Sequence, residues 1–258
     1  MSDRRSQVAV LYLVGVMALY LGGSDAALAY VKAGLQPLLL ASGAVLVGLG
    51  VVAAIRHGRD QNQNRDQPHG PGVAWLLALP PLALVLIAPP ALGAFAASRQ
   101  PVLAPPTIQA GPTDQASAGG DQDWIPPLIP NGDGAAVPLT LAEYVIRDYD
   151  APHTLAGVRV RLVGFVTPQQ PGRDGYLLTR FAINCCAADA TAYKVAVHGD
   201  PVPRGPDTWL EVEGRWQQRQ RTTGGDAEQP SEEPPLLLAE SIRVIEQPTL
   251  PYESGMSF

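Results

Sequence analysis

The run AGLQPLLLASGAVLVGLGVVAAI, residues 33–55, carries no charge, and its reading decides the fold of the front of the chain. An α-helix rises about 1.5 Å per residue, so an uncharged run of this length covers the roughly 30 Å hydrocarbon core of a bilayer. Within it Gly43, Val47, Gly50 and Ala54 form a stripe of small residues that allows close approach of a second helix in lipid. Gly is common in spans generally, so the stripe names no partner.

Two further apolar runs flank this one. Ser6 to Ser24, SQVAVLYLVGVMALYLGGS, is uncharged over 19 residues, and Val73 to Ser98 extends for 26 residues with Pro80-Pro81 and Pro89-Pro90 inside it. Those prolines remove backbone donors and kink or end a helix, a loss that the length tolerates. Arg4 and Arg5 before the first run, with Ala26-Ala27 after it, also resemble a cleaved signal peptide. The apolar stretch is longer than a usual signal core and two more runs follow, so a retained span is expected.

Three transmembrane helices over residues 1–98 are therefore expected. Arg4, Arg5, Arg56, Arg59 and Arg65 mark the cytoplasmic side, whereas the loop between the first two runs holds only Asp25 and Lys32. The expected protein is multi-pass in the cell membrane, with a cytoplasmic N-terminus and an extracytoplasmic C-terminal part. His57 and His69 in the 56–72 loop lack ligand spacing and read as part of a solvated linker.

Charge divides the chain at the same place. Up to Ser98 there are six Lys/Arg and four Asp/Glu, and the remainder holds twelve and twenty. So acidic a C-terminal part argues against nucleic-acid binding, which needs clustered cations to displace phosphate counterions. Tyr176, Phe181, Tyr193, Trp209 and Trp216 are expected to fill a small core rather than stack on bases. Residues 99–137, rich in Pro, Gly, Ala, Ser, Gln and Asp, read as an extended tether on which Trp124 and Ile125 are the docking candidates.

Beyond the tether, Thr140 to Asp148 predicts a short amphipathic helix, with Thr140 and Glu143 in capping-box spacing. Five strand-like segments follow, at 158–166, 176–183, 193–198, 208–216 and 236–245, separated by Gly or Pro turns. Five strands in this length predict a mainly-β domain over 138–250, an OB-like barrel first and a small sandwich second, with a flexible tail at 251–258. Gly164 and Gly214, each inside a strand, suit the bends of a barrel. Residues 215–235 read as a solvated hairpin in which Arg215, Arg219 and Arg221 oppose Glu228, Glu232 and Glu233.

Local chemistry concentrates at Cys185 and Cys186 in FAINCCAADA, with Asp189 close behind. Neighbours on a strand face opposite ways, so the pair marks a turn or an asymmetry. Three readings stand together: a strained vicinal disulfide, a soft metal site with Asp189 or His198 that suits zinc or cuprous copper, and one buried thiol beside an incidental neighbour. No G-x-S-x-G, H-E-x-x-H, P-loop or C-x-x-C occurs, and no enzyme is expected. His153, His198 and the Asp148/Asp150 pair read as turn, strand-end and helix-end residues.

The segments YVKAGLQPLLLASGAVLVGLG at 30–50, PPALGA, VRLVGFV, LLTRFAINCCAADATAY and WLEVEGRW together resemble the YcgQ family of permease subunits. The likeness covers most of the chain outside the tether and the 217–235 loop, and RFAINCCAADA, Arg180 to Ala190, is its most specific part. The resemblance implies a non-enzymatic accessory subunit beside a multi-pass permease of the YcgR type, with a link to zinc homeostasis in some members. It also brings the disulfide and metal readings of Cys185 and Cys186, the latter with Asp189, level with the reading of one buried thiol beside an incidental neighbour. A His-Pro pair common after the first span is replaced here by Tyr30-Val31-Lys32-Ala33, so no ligand role transfers to that position.

Overall fold

A computed structural model describes residues 2–60, 90–102, 125–129, 134–169, 175–200, 202–218 and 233–254. The chain divides into two compact units, Met1–Ala91 and Leu92–Phe258. In the first, helix α1 (Ser2–Gly22) and helix α2 (Gln36–Asp60) are joined through two 3-10 turns, Asp25–Ala29 and Ala33–Leu35. The helices pack antiparallel: Gly22 lies against Leu40, Gly15 against Gly43 and Val47, and Gly50 against Leu11 and Tyr12. The Gly43, Val47 and Gly50 part of the small-residue stripe thus meets α1, because a missing Cβ lets the backbones close in.

Ala33–Arg56 is long and apolar enough to cross a membrane, with a mean hydropathy of 2.5, whereas the apolar part of α1, Val8–Gly22, is shorter. Leu38, Val45, Leu49, Val52 and Ile55 on α2 and Tyr12, Val16 and Tyr20 on α1 are exposed. Apolar surface of that extent in water marks an interaction face, and these helices are the molecule's indication of membrane association. Of the third apolar run, residues 73–89 lie outside the described residues.

The end of that run belongs to the second unit. Helix α3 (Ala94–Ser98) buries Ala94 and Ala97, the Leu92 N–H donates to the Tyr252 hydroxyl at 2.9 Å, and the Ala94 N–H donates to Asp207. The compact boundary thus falls at Leu92 rather than at the Ser98/Arg99 limit that hydropathy sets. Small alanines read as span residues and serve equally well as a close-packing face.

Seven strands make one mixed sheet: β1 (Val137–Pro138), β2 (Arg159–Pro168), β3 (Tyr176–Ile183), β4 (Thr191–His198), β5 (Trp209–Gln217), β6 (Leu236–Val244) and β7 (Glu253–Ser254). The five long strands coincide with the five segments expected from alternation and turn residues, to within two residues at most ends. Their order is β2-β5-β6-β4-β3, and β3 pairs again with β2, so the hydrogen-bonded ladder returns to its starting strand. Only β4 and β6 among them run parallel.

One face of this cycle supplies the core, with Val160, Leu162, Val166, Leu178, Val195, Val197, Leu210, Val212 and Leu237. Helix α4 (Leu141–Asp150) adds Leu141, Tyr144 and Val145 to it. Each such side chain removed from water contributes roughly 1.5–3 kcal/mol. The Thr140 hydroxyl caps α4 by accepting from the Glu143 N–H at 3.0 Å. The other half of the box departs from expectation, because the Glu143 carboxylate accepts from Arg147 instead.

The first two α4 N–H groups, Leu141 and Ala142, donate to the Glu253 carboxylate at 2.8 and 3.1 Å. Residues 251–253 are buried and β7 (Glu253–Ser254) pairs with β3, so the first part of the stretch expected as a flexible tail is docked, while residues 255–258 lie outside the described residues. Polar residues in it conceal a structural end. Ile125 docks as expected, buried with Ile146 and Ala151, and Arg147 holds the Pro126 carbonyl at 2.8 Å. Trp124 and residues 219–232 lie outside the described residues; Arg215 pairs with Glu240 at 2.8 Å.

Gly214 sits at a bulge in the β5–β6 ladder, where an added Cβ would collide with the Leu238 carbonyl oxygen. Gly164 has a comparable approach, 2.7 Å from a Cβ position to the Thr179 oxygen. Gly214→Ala and Gly164→Ala are each expected to lower stability by about 1–3 kcal/mol through overpacking. Denaturant unfolding followed by tryptophan fluorescence checks this, with Gly205→Ala, whose Cβ would meet only the Thr208 hydroxyl at an ordinary 3.8 Å, expected within about 0.5 kcal/mol of the parent.

Candidate metal centre

Strand β3 ends at Ile183 and β4 begins at Thr191, so Cys185, Cys186 and Asp189 occupy the connecting turn rather than a strand. Strand alternation therefore does not separate the thiols. Residues Ala187–Asp189 form a 3-10 turn, closed by the Asp189 N–H donating to the Cys186 carbonyl at 3.0 Å. The Asp189 carboxylate folds back over it, accepting from the Asn184 N–H at 3.0 Å and from the Cys185 N–H at 2.8 Å. A short acidic side chain that mimics a backbone acceptor suits this position.

The two sulfurs lie 3.5 Å apart, and both cysteines are free thiols. A disulfide would bring them to about 2.05 Å. One ligand atom from each of Cys185, Cys186 and Asp189 lies within 4.8 Å of the other two, so the group could hold a metal ion. A tetrahedral ion with metal–sulfur bonds of about 2.3 Å separates two thiolates by roughly 3.8 Å, close to the spacing found. Cys185 is exposed, and Cys186 and Asp189 are half-buried, so solvent reaches the turn.

Protonation opposes ligation. The hydrogen bond to Asp189, and next that to Cys186, pushes the Cys185 thiol up to about 12. The same Cys185–Asp189 bond holds the Asp189 carboxyl below the usual carboxylate range. The Cys185 thiol donates to the Cys186 sulfur at 3.5 Å beside the Asp189 carboxylate, so an ion held there would have to displace a thiol proton.

His198 does not join the site. It ends the eight-residue β4, and at about 3.3 Å per residue it stands roughly 23 Å from the turn. His153 is exposed in a 3-10 turn. Asp148 is buried and accepts from the Trp216 indole N–H at 2.6 Å, so its role is helix packing. Burial raises Asp150.

Sequence reasoning missed the surroundings. Arg180 on β3 donates to the Leu250 carbonyl at 2.7 Å and stacks over Trp209 at 5.5 Å, its guanidinium pKa lowered by burial. Burial likewise raises Glu253 and lowers Lys194. Gln100, read as tether, lies against the start of β4: its side chain donates to the Ala190 carbonyl at 2.9 Å and accepts from the Ala192 N–H at 2.8 Å. An isolated Gln in a polar stretch carries no local signal of such docking.

Residues 142–253 match the family model of the DUF1980 C-terminal domain, a family of uncharacterised function. The matched stretch runs from α4 to β7 and contains the thiol turn, while Leu92–Gln100 lies outside it. No curated protein and no solved structure matches the chain.

Because the Asp189 carboxylate raises the Cys185 thiol, Asp189→Asn is expected to lower the thiol pKa and speed alkylation. In a Cys186→Ser background, iodoacetamide labelling of Cys185 should be slow at pH 8, rise tenfold per pH unit while the thiol is mostly protonated, and accelerate on Asp189→Asn. Equal rates with Asp and Asn at position 189 would contradict the assigned hydrogen bond.

Proposed function

We propose that this chain is a non-enzymatic, membrane-anchored accessory subunit whose outer domain binds zinc at Cys185, Cys186 and Asp189. The observation that carries the reading is the 3.5 Å sulfur pair with a carboxylate folded beside it. Two-coordinate linear binding at a metal–sulfur distance of about 2.3 Å would need sulfurs about 4.6 Å apart, so the spacing favours a tetrahedral ion over digonal copper. Three protein ligands with an open fourth position suit a site that exchanges its ion. The cyclic pairing of β2, β3, β4, β6 and β5 supports the OB-like barrel reading for the domain.

The membrane part of the proposal rests on sequence. Three spans, a cytoplasmic N-terminus and an outer C-terminal domain follow from the apolar runs and the arginine distribution. The resemblance to YcgQ permease subunits supports a multi-pass permease as the partner, since three spans without interior charges offer no polar pathway of their own. A second reading, favoured by the access of solvent to the turn, is a metal-binding module that acts without a permease. Co-purification decides between them.

Zinc titration of the full chain in detergent under reducing conditions is expected to give one site, with affinity rising with pH because the thiols must lose protons. Cys185→Ser and Cys186→Ser should each weaken it at least about tenfold. Unchanged binding in both variants removes the metal reading. A reporter fused after Phe258 is expected to be active only outside the cytoplasm, and mild extraction is expected to recover a multi-pass permease. A cytosolic reporter signal would overturn the orientation, and recovery as a free monomer would favour the second reading.

A further inference from the structure

Strand β4 is paired on one side by β3 from Thr191 onward, but β6 reaches its other side only at Ala196. Among the described residues, the first residues of β4 thus have a sheet edge without a neighbouring strand, next to the thiol turn. Buried backbone groups at such an edge need partners. The Gln100 side chain supplies them: its amide nitrogen donates to the Ala190 carbonyl and its amide oxygen accepts from the buried Ala192 N–H. A primary amide presents the same donor and acceptor as a peptide group, so one side chain stands in for a strand.

Its own segment is held along its length. The Leu92 N–H donates to Tyr252, the Ala94 N–H donates to Asp207, and the buried Lys194 ammonium donates to the Gln100 carbonyl. The last of these gives a buried cation an acceptor. Gln100 therefore has a fixed backbone from which to reach the turn. Ala190, which it grips, directly follows Asp189, whose carboxylate orders Asn184 and Cys185.

We propose that Gln100 is a positioning residue of the thiol turn, fixing the exit of the turn so that Asp189 and the two sulfurs keep the spacing for a shared ion. The part concerning the ion rests on the zinc reading above; the part concerning the turn does not. Outer groups that orient ligands typically change metal affinity by about 10–100-fold when removed.

The test uses the full chain in detergent, as parent, Gln100→Ala and Gln100→Glu; the last keeps the acceptor for Ala192 and loses the donor to Ala190. In metal-free protein, Gln100→Ala is expected to speed amide hydrogen exchange at Asn184 and Cys185 at least about tenfold, with β2 and β5 amides unchanged. With zinc, the dissociation constant should rise by a similar factor, and Gln100→Glu should fall between the two. Unchanged exchange at Cys185 overturns the inference, as does parental zinc affinity in Gln100→Ala. If Gln100→Ala also loosens β2 and β5, the same comparison passes to Gln100→Glu. If the parent chain binds no zinc, the metal reading falls on that result alone, and the metal-free exchange still decides the role of Gln100.

Discussion

Five strands can pair in a cycle only if the sheet bends sharply, and a sheet bends where backbones come closer than side chains allow. Gly164 and Gly214 are where this happens, with Thr179 and Leu238 oxygens in the space that a Cβ would need. Closing the cycle gives each of the five long strands two partners and removes the exposed edges that an open sheet would have to protect. It also fixes the β3–β4 ladder, in which Ala182 faces Thr191. That register sets where the thiol turn leaves β3 and enters β4.

The closed ladder is incomplete at its ends, and the remaining stabilising contacts gather there. Glu253 places a carboxylate on two orphan N–H groups of α4 while its own strand extends β3. Burial opposes its charge, and the helix N-terminus offsets that cost by supplying donors and a favourable dipole. Gln100 does for the start of β4 what Glu253 does for α4. Both are polar side chains from segments distant in sequence, each satisfying main-chain groups that no strand reaches.

This explains which parts of the fold are legible in sequence. Strands β2 to β6 announce themselves through alternation, and α4 through its cap and apolar spacing, because those signals are local. The docking of Leu92–Gln100, of Ile125 and of Pro251–Glu253 is written in single contacts between remote residues, and composition assigns all three stretches to span, tether or tail. Ala94 and Ala97 illustrate the ambiguity, since a small apolar residue is equally at home in lipid and against a sheet. Of the site, Cys185, Cys186 and Asp189 are readable as chemistry. Their convergence depends on β3 ending two residues before Cys185, the same end that the strand-like segment 176–183 gives in sequence, and His198 is excluded only by the length of β4.

The turn holds three competing states of the same sulfurs. The Asp189 carboxylate raises the Cys185 thiol, and the thiol in turn lowers the carboxyl, while the Cys185 thiol donates to the Cys186 sulfur. A disulfide would have to close a 3.5 Å gap within two adjacent residues and accept the strain of a small ring. A tetrahedral ion would need little movement of the sulfurs, so the geometry favours an ion over a disulfide at this turn. On the zinc reading, capture weakens at low pH because the thiols must lose their protons.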